Sequence, residues 1–131
     1  MARRTETFTA TDGRDKGKVF LITEMSAYSA ERWAIRAVFA MGKAGVEIPE
    51  TSGGMASIAG NILAAVLHMQ FEDAEPLLND MLGCVQVVPD AKNPTLTRAL
   101  FEDDIEEVPT LIKLRRHVFE LHTLFLTADI Q

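Results

Sequence analysis

Residues 17–45, GKVFLITEMSAYSAERWAIRAVFAMGKAG, decide how the rest of the chain is read. Lys18 to Thr23 is a short run of β-branched and large apolar residues, the composition of a strand. Glu24-Met25-Ser26 breaks the alternation, and from Ser29 onward apolar residues return at helical spacing. Ala30, Trp33, Ala34, Ala37, Val38 and Met41 make one apolar stripe, and Ile35 and Phe39 widen it beyond a single face. Arg32, Arg36 and Lys43 are left as a thin cationic ridge. Ser26 or Ser29 supplies the N-cap, Glu31 and Lys43 suit the two ends of the helix dipole, and Gly42 and Gly45 offer the stop. On the strand, Val19 and Leu21 face one way and Phe20 and Ile22 the other, so both faces are apolar.

Upstream, Thr5 to Thr11 reads as a second strand, joined to the first across the polar loop Asp12–Gly17 as a β-hairpin. An isolated two-stranded ribbon is marginal in water, and with two apolar faces it asks for cover beyond one set of helices. A second molecule is one such cover, which makes Phe20 and Ile22 candidates for self-association or client contact. Downstream, Glu47–Gly54 is a connector, and Met55 to Gln70 is the most apolar helix, suited to a bundle centre or an oligomer interface. Asp73 opens a short helix with Pro76 in its first turn and Leu77, Leu78, Met81 and Leu82 buried. Cys84 to Val88 is a brief apolar strand able to join the hairpin edge, and residues 95–100 have no decisive pattern. The acidic turn Glu102–Glu107 leads into a final helix, Pro109 to Leu126, that buries Leu111, Ile112, Leu114, Val118, Leu121 and Phe125. The expected fold is mainly α: a bundle of four to five helices with an N-terminal two-stranded β-hairpin. It forms one domain over residues 1–131, with residues 1–4 and 127–131 disordered.

Charge and side-chain chemistry narrow the function. With 13 Lys and Arg against 19 Asp and Glu the net charge is −6, and no concentrated basic face is available for phosphates, so nucleic acid is not expected as a partner. No apolar run reaches the roughly 20 residues of a membrane span, and Arg3-Arg4 is followed by polar residues rather than a signal-peptide core, so a soluble cytoplasmic protein is expected. The single cysteine, Cys84, builds neither a disulfide framework nor a metal cluster. His117 and His122 are five apart and diverge on a helix, and His68 reads as a satisfied polar position. Carboxylates 102–107 are scattered by turn geometry and read as a solvated helix entry or a patch for a basic partner. No catalytic residue, metal, cofactor or small-molecule substrate is expected. The candidate contact residues are Phe20, Ile22, Arg32, Trp33, Arg36, Glu102, Asp103, Asp104, Glu106 and Glu107, with the arginine ridge of one copy meeting the acidic run of another.

Three stretches carry a resemblance. Arg14-Asp15-x-Gly17-Lys18-x-Phe20-x-Ile22-Thr23-Glu24-Met25, then Ala30-Glu31-x-Trp33-Ala34-x-Arg36-Ala37, resembles the tail assembly chaperones of long-tailed bacteriophages and prophages. Glu75-Pro76-Leu77-Leu78-x-x-Met81-Leu82-x-Cys84-Val85, and Asp104-Ile105-Glu106-Glu107 through Leu121-His122, look like later parts of the same family. The resemblance implies a small, mainly helical, non-catalytic protein absent from the mature virion. It implies binding of the aggregation-prone tape measure protein and recruitment of tail tube subunits, while the excess apolar area of the hairpin and of the Met55–Gln70 helix is what points to a homo-oligomer. An oligomeric structural or adaptor protein of the tail, such as a completion protein, is the alternative.

Overall fold

The computed structural model describes residues 3–43, 45 and 68–129. Its elements in chain order are β1 (Thr5–Thr9), β2 (Val19–Thr23), α1 (Ala27–Lys43), α2 (Phe71–Leu82), β3 (Val85–Val88), β4 (Arg98–Ala99), a 3-10 turn (Glu102–Asp104) and α3 (Val108–Asp129). The four strands form one antiparallel sheet in the order β1-β2-β3-β4. The expected bundle of four to five helices with a lone hairpin is therefore corrected. Among the described residues there are three α-helices, and the hairpin is half of a four-stranded sheet. The physical reason is that β2 is apolar on both faces and has two edges to satisfy. The valines of β3 fill the second edge, with Phe20 opposite Val87 and Ile22 opposite Val85. The connector at 47–54 and the apolar helix expected over 55–70 lie outside the described residues, except for residues 68–70, of which 68 and 69 form a turn and bend.

The chain divides into two compact units, Met1–Glu24 with Met81–Leu121, and Met25–Asp80 with His122–Gln131. The first is built on the sheet. Strand alternation puts Glu6, Phe8, Phe20, Ile22, Val85 and Val87 on one face. Phe8 lies 6.3 Å from Phe20 and 4.9 Å from the His117 ring of α3, and Glu6 Oε1 is 2.8 Å from His117 Nδ1. Leu114, Val118 and Leu121 share that side of α3 and are buried with Phe20 and Ile22. Ile112, expected in the core, is 60% exposed because it lies off this stripe. Thr5, Thr7 and Thr9 on the other face of the sheet are exposed, and Val19 and Leu21 half-buried.

Among the described residues, the second unit has a core of Ala37, Ala40, Met69, Ala74 and Leu77, with Trp33 and Leu78 packed against it. Ser26 caps α1, its Oγ accepting the Ser29 N–H at 3.2 Å, and Gly45 leaves the helix at φ +77, a conformation that suits glycine. The buried stripe of α1 is narrower than its apolar content suggests: Ala34 and Val38 are exposed, because the helix turns its alanines Ala37 and Ala40 toward Ala74 and Leu77 of α2. Pro76 falls in the second turn of α2, which starts at Phe71. His122 Nε2 accepts the Met25 N–H at 2.7 Å.

Candidate functional site

In the first unit, Asp15, in the loop between β1 and β2, accepts from four donors. Gly13 (φ +72) and Gly17 (φ +92) shape that loop. A Cβ on Gly13 would run into the Glu107 carboxylate, so only glycine permits the approach. Asp15 is fully buried. Its Oδ1 accepts from Lys18 Nζ at 2.9 Å and from the Glu106 N–H at 2.9 Å. Its Oδ2 accepts from the Thr110 hydroxyl at 2.7 Å and from the Glu107 N–H at 3.2 Å. Three of these donors surround the N-terminus of α3, whose dipole favours an anion there. Burial pushes the Asp15 carboxyl up, but the bonds from Thr110, Glu106, Lys18 and Glu107 together outweigh it and hold the group well below the ordinary carboxylate range. A carboxylate has about four lone-pair positions, and all are taken, so Asp15 is a clamp and has no capacity left to act as a base.

The clamp continues along the acidic run. Lys18 Nζ also donates to the Asp104 carbonyl at 2.9 Å and lies 3.8 Å from Glu106 Oε2. Asp104 takes a two-pronged contact from Arg98, at 2.7 and 2.8 Å, and accepts the Phe101 N–H at 2.7 Å. The Arg98 contact, with that backbone bond, lowers the Asp104 pKa from its ordinary 3.8 to about 2. Glu107 accepts the Arg14 N–H at 3.1 Å.

The ten candidate contact residues thus divide. Phe20 and Ile22 are 0% exposed and lie in the core, which corrects their reading as surface positions: β3 and α3 supply the cover assigned to a second molecule. Asp104, Glu106 and Glu107 are gathered round the clamp, while Glu102 and Asp103 are exposed. Arg32, Trp33 and Arg36 belong to the other unit. There Arg36 faces Asp80 at 3.7 Å, Arg32 is exposed, and the Trp33 indole N–H donates to the Leu77 carbonyl at 3.0 Å. Asp15 itself escaped the residue-by-residue reading, because an aspartate between two loop glycines reads as solvent-facing. The signal was the pairing of Asp15 with Lys18 three residues on, across a loop otherwise free of apolar anchors.

Apolar surface is what remains uncommitted. On α1, Tyr28 (77% exposed), Ile35 and Phe39 (74%) recur at helical spacing on the side away from Ala37 and Ala40, with Val38 beside them. They make a seam about 16 Å long at the helix rise of 1.5 Å per residue. In the sheet unit, Leu82, Val85, Leu100, Phe101, Ile105 and Leu111 line a groove of about 570 Å³, and Phe101, Val108 and Ile112 are exposed near one another in sequence. No group of three or more His, Cys, Asp or Glu suited to a metal exists among the described residues, and no described helix is long and apolar enough to cross a membrane.

This inventory, of a polar clamp with no spare capacity and apolar side chains in water, agrees with a family model. Residues 16–122 match the phage tail assembly chaperone protein family, TAC. The chain belongs to that family. The match begins inside the β1–β2 loop, one residue after Asp15, and ends at His122, so it takes in the Asp15 partners Lys18, Glu106, Glu107 and Thr110, the α1 seam and the groove, but not Asp15 itself. No curated protein and no solved structure matches the chain.

Proposed function

We propose that this tail assembly chaperone is a non-catalytic holdase that binds the tape measure protein, keeps it soluble, and helps bring tail tube subunits to it. It acts in the bacterial cytoplasm and leaves before the virion is complete. The observation that carries this reading beyond the family is the exposed seam Tyr28-Ile35-Phe39. Large apolar side chains grouped on one helix face are characteristic of a binding surface, and a long helical client offers matching seams of its own. The cationic Arg32 lies within the seam, at helical spacing from Tyr28 and Ile35, and gives it an acidic-partner preference.

The test is co-expression with the tape measure protein, reading the fraction of client in the soluble lysate. Wild-type chain is expected to raise that fraction. Ile35→Glu/Phe39→Glu is expected to abolish the gain while keeping wild-type helicity, since both positions face water. A client that stays insoluble beside the wild-type chain overturns the proposal.

A further inference from the structure

The two edges of the sheet are built differently. At one edge β4 is only two residues long, carries Arg98, and follows a turn-rich stretch with Pro94, all devices that discourage further strand addition. At the other, β1 runs five residues, TETFT, with no proline, lysine or bulge. Its outward hydrogen-bonding groups follow from the ladder. Ala10 N–H donates to the Lys18 carbonyl, and Glu24 N–H to the Arg4 carbonyl. Alternation then turns the backbone of Glu6 and Phe8 toward β2, and the N–H and C=O of Thr5, Thr7 and Thr9 away from it. All three threonines are exposed, and no other strand among the described residues pairs with them.

We propose that the outer edge of β1 is a self-pairing site, at which Thr5–Thr9 of one copy lies antiparallel on Thr5–Thr9 of a second, with Thr7 on the twofold axis. The two four-stranded sheets become one of eight strands. The occupant is a second copy because the edge is complementary to itself. In this register Thr7 meets Thr7 and Thr5 meets Thr9, so the residues with outward backbone groups face one another and every donor finds an acceptor. The cross-strand neighbours are threonine pairs, which are favourable, and Glu6 comes opposite Phe8 rather than opposite another Glu6. Beyond the strand, Arg3 comes opposite Thr11 and beside Asp12 of the second copy, placing opposite charges at both ends. The arrangement closes at two copies and leaves only the short β4 edges outside. It stands on the sheet edge alone and does not depend on the client reading.

Light scattering on the full chain tests it. The expected mass is twice the 14.5 kDa of the protomer. Thr7→Pro removes one outward N–H and no bond to β2, so it is expected to return the protomer mass with unchanged circular dichroism. Cysteine scanning checks the register without relying on proline. Residues paired across the axis have Cα atoms about 5.5 Å apart, within disulfide reach, so Thr7→Cys is expected to cross-link on mild oxidation. Thr5→Cys alone is expected to stay uncross-linked, its mate being roughly 13 Å away, whereas Thr5→Cys/Thr9→Cys links. The wild-type Cys84 is buried and stays out of the reaction. A wild-type chain that remains at protomer mass at every concentration overturns the proposal, as does a dimer in which Thr5→Cys cross-links and Thr7→Cys does not. Neither result touches the client test, which reads a different protein's solubility.

Discussion

Asp15 binds its four donors through charge as much as through shape, and the two are separable. Asp15→Asn preserves volume but removes the negative charge opposite Lys18 and turns an amide N–H₂ toward groups that themselves donate. Lys18 is partly exposed, so the main cost is that of leaving buried donors without their acceptor, about 1–3 kcal/mol, and urea unfolding near neutral pH is expected to show a loss of that order. The loss has a defined pH dependence. The Asp15 carboxyl is held below its ordinary value in the folded chain, and Asp104 is lowered from 3.8 to about 2. A carboxyl with a lowered folded pKa contributes stability that is fully present above its unfolded value and lost as pH falls toward the folded one. Wild type and Asp15→Asn are therefore expected to differ fully above about pH 4 and to converge below it. Urea midpoints measured down through this range check the sign. A difference that stays constant into acid would mean that geometry, and not the Asp15 charge, carries the clamp.

At the scale of elements, the alternation of β2 was readable and the choice of buried face was not. Val19 and Leu21 against Phe20 and Ile22 follow from strand geometry alone, yet both pairs are apolar. The decision is made by β3 and α3, whose distant sequence positions bring valines to one edge and Leu114 and Val118 to one face. The same limit applies to α1. Its cap at Ser26 or Ser29 and its amphipathic character were legible, and Ala37 of the expected stripe is inward, but Ala34 and Val38 are exposed and Ala40 is buried, because only the contact with Ala74 and Leu77 of α2 fixes which way the helix turns. The clamp was least legible, since its four donors are spread over residues 18–110 and only the folded loop assembles them. The face assignment has a direct check. Phe20→Ala is expected to cost about 3–5 kcal/mol as a core truncation, whereas Leu21→Ala, from a half-buried position, is expected to cost less than about 2 kcal/mol. Equal losses in chemical unfolding would place the wrong face inside.

For the molecule as a whole, the described residues of the two units pack with side chains of different size. Among the described residues, the sheet unit buries Phe20, Ile22, Leu114, Val118, Phe119 and Leu121, while three of the five core residues of the second unit are alanines. Burial stabilises by roughly 25 cal/mol per Å² of apolar surface, so side chains of alanine size contribute far less per position than phenylalanine or leucine. The second unit also carries the exposed Tyr28, Ile35 and Phe39, apolar area that contributes nothing to its own core. Local opening follows the density of buried apolar contacts. Backbone amides of α1 are therefore expected to exchange with solvent deuterium earlier than those of β2, which is bonded on both edges by β1 and β3. Hydrogen-exchange mass spectrometry on the full chain resolves the two segments, since they are contiguous in sequence. If α1 and β2 exchange together at one rate, the chain opens as a single cooperative body and the alanine core is as strong as the sheet. If α1 exchanges first, addition of client is expected to slow α1 and leave β2 unchanged, because a ligand stabilises the element it covers. A helix whose described core partners are small and whose apolar seam is uncovered can adjust to what it binds, which is what the proposed client contact requires.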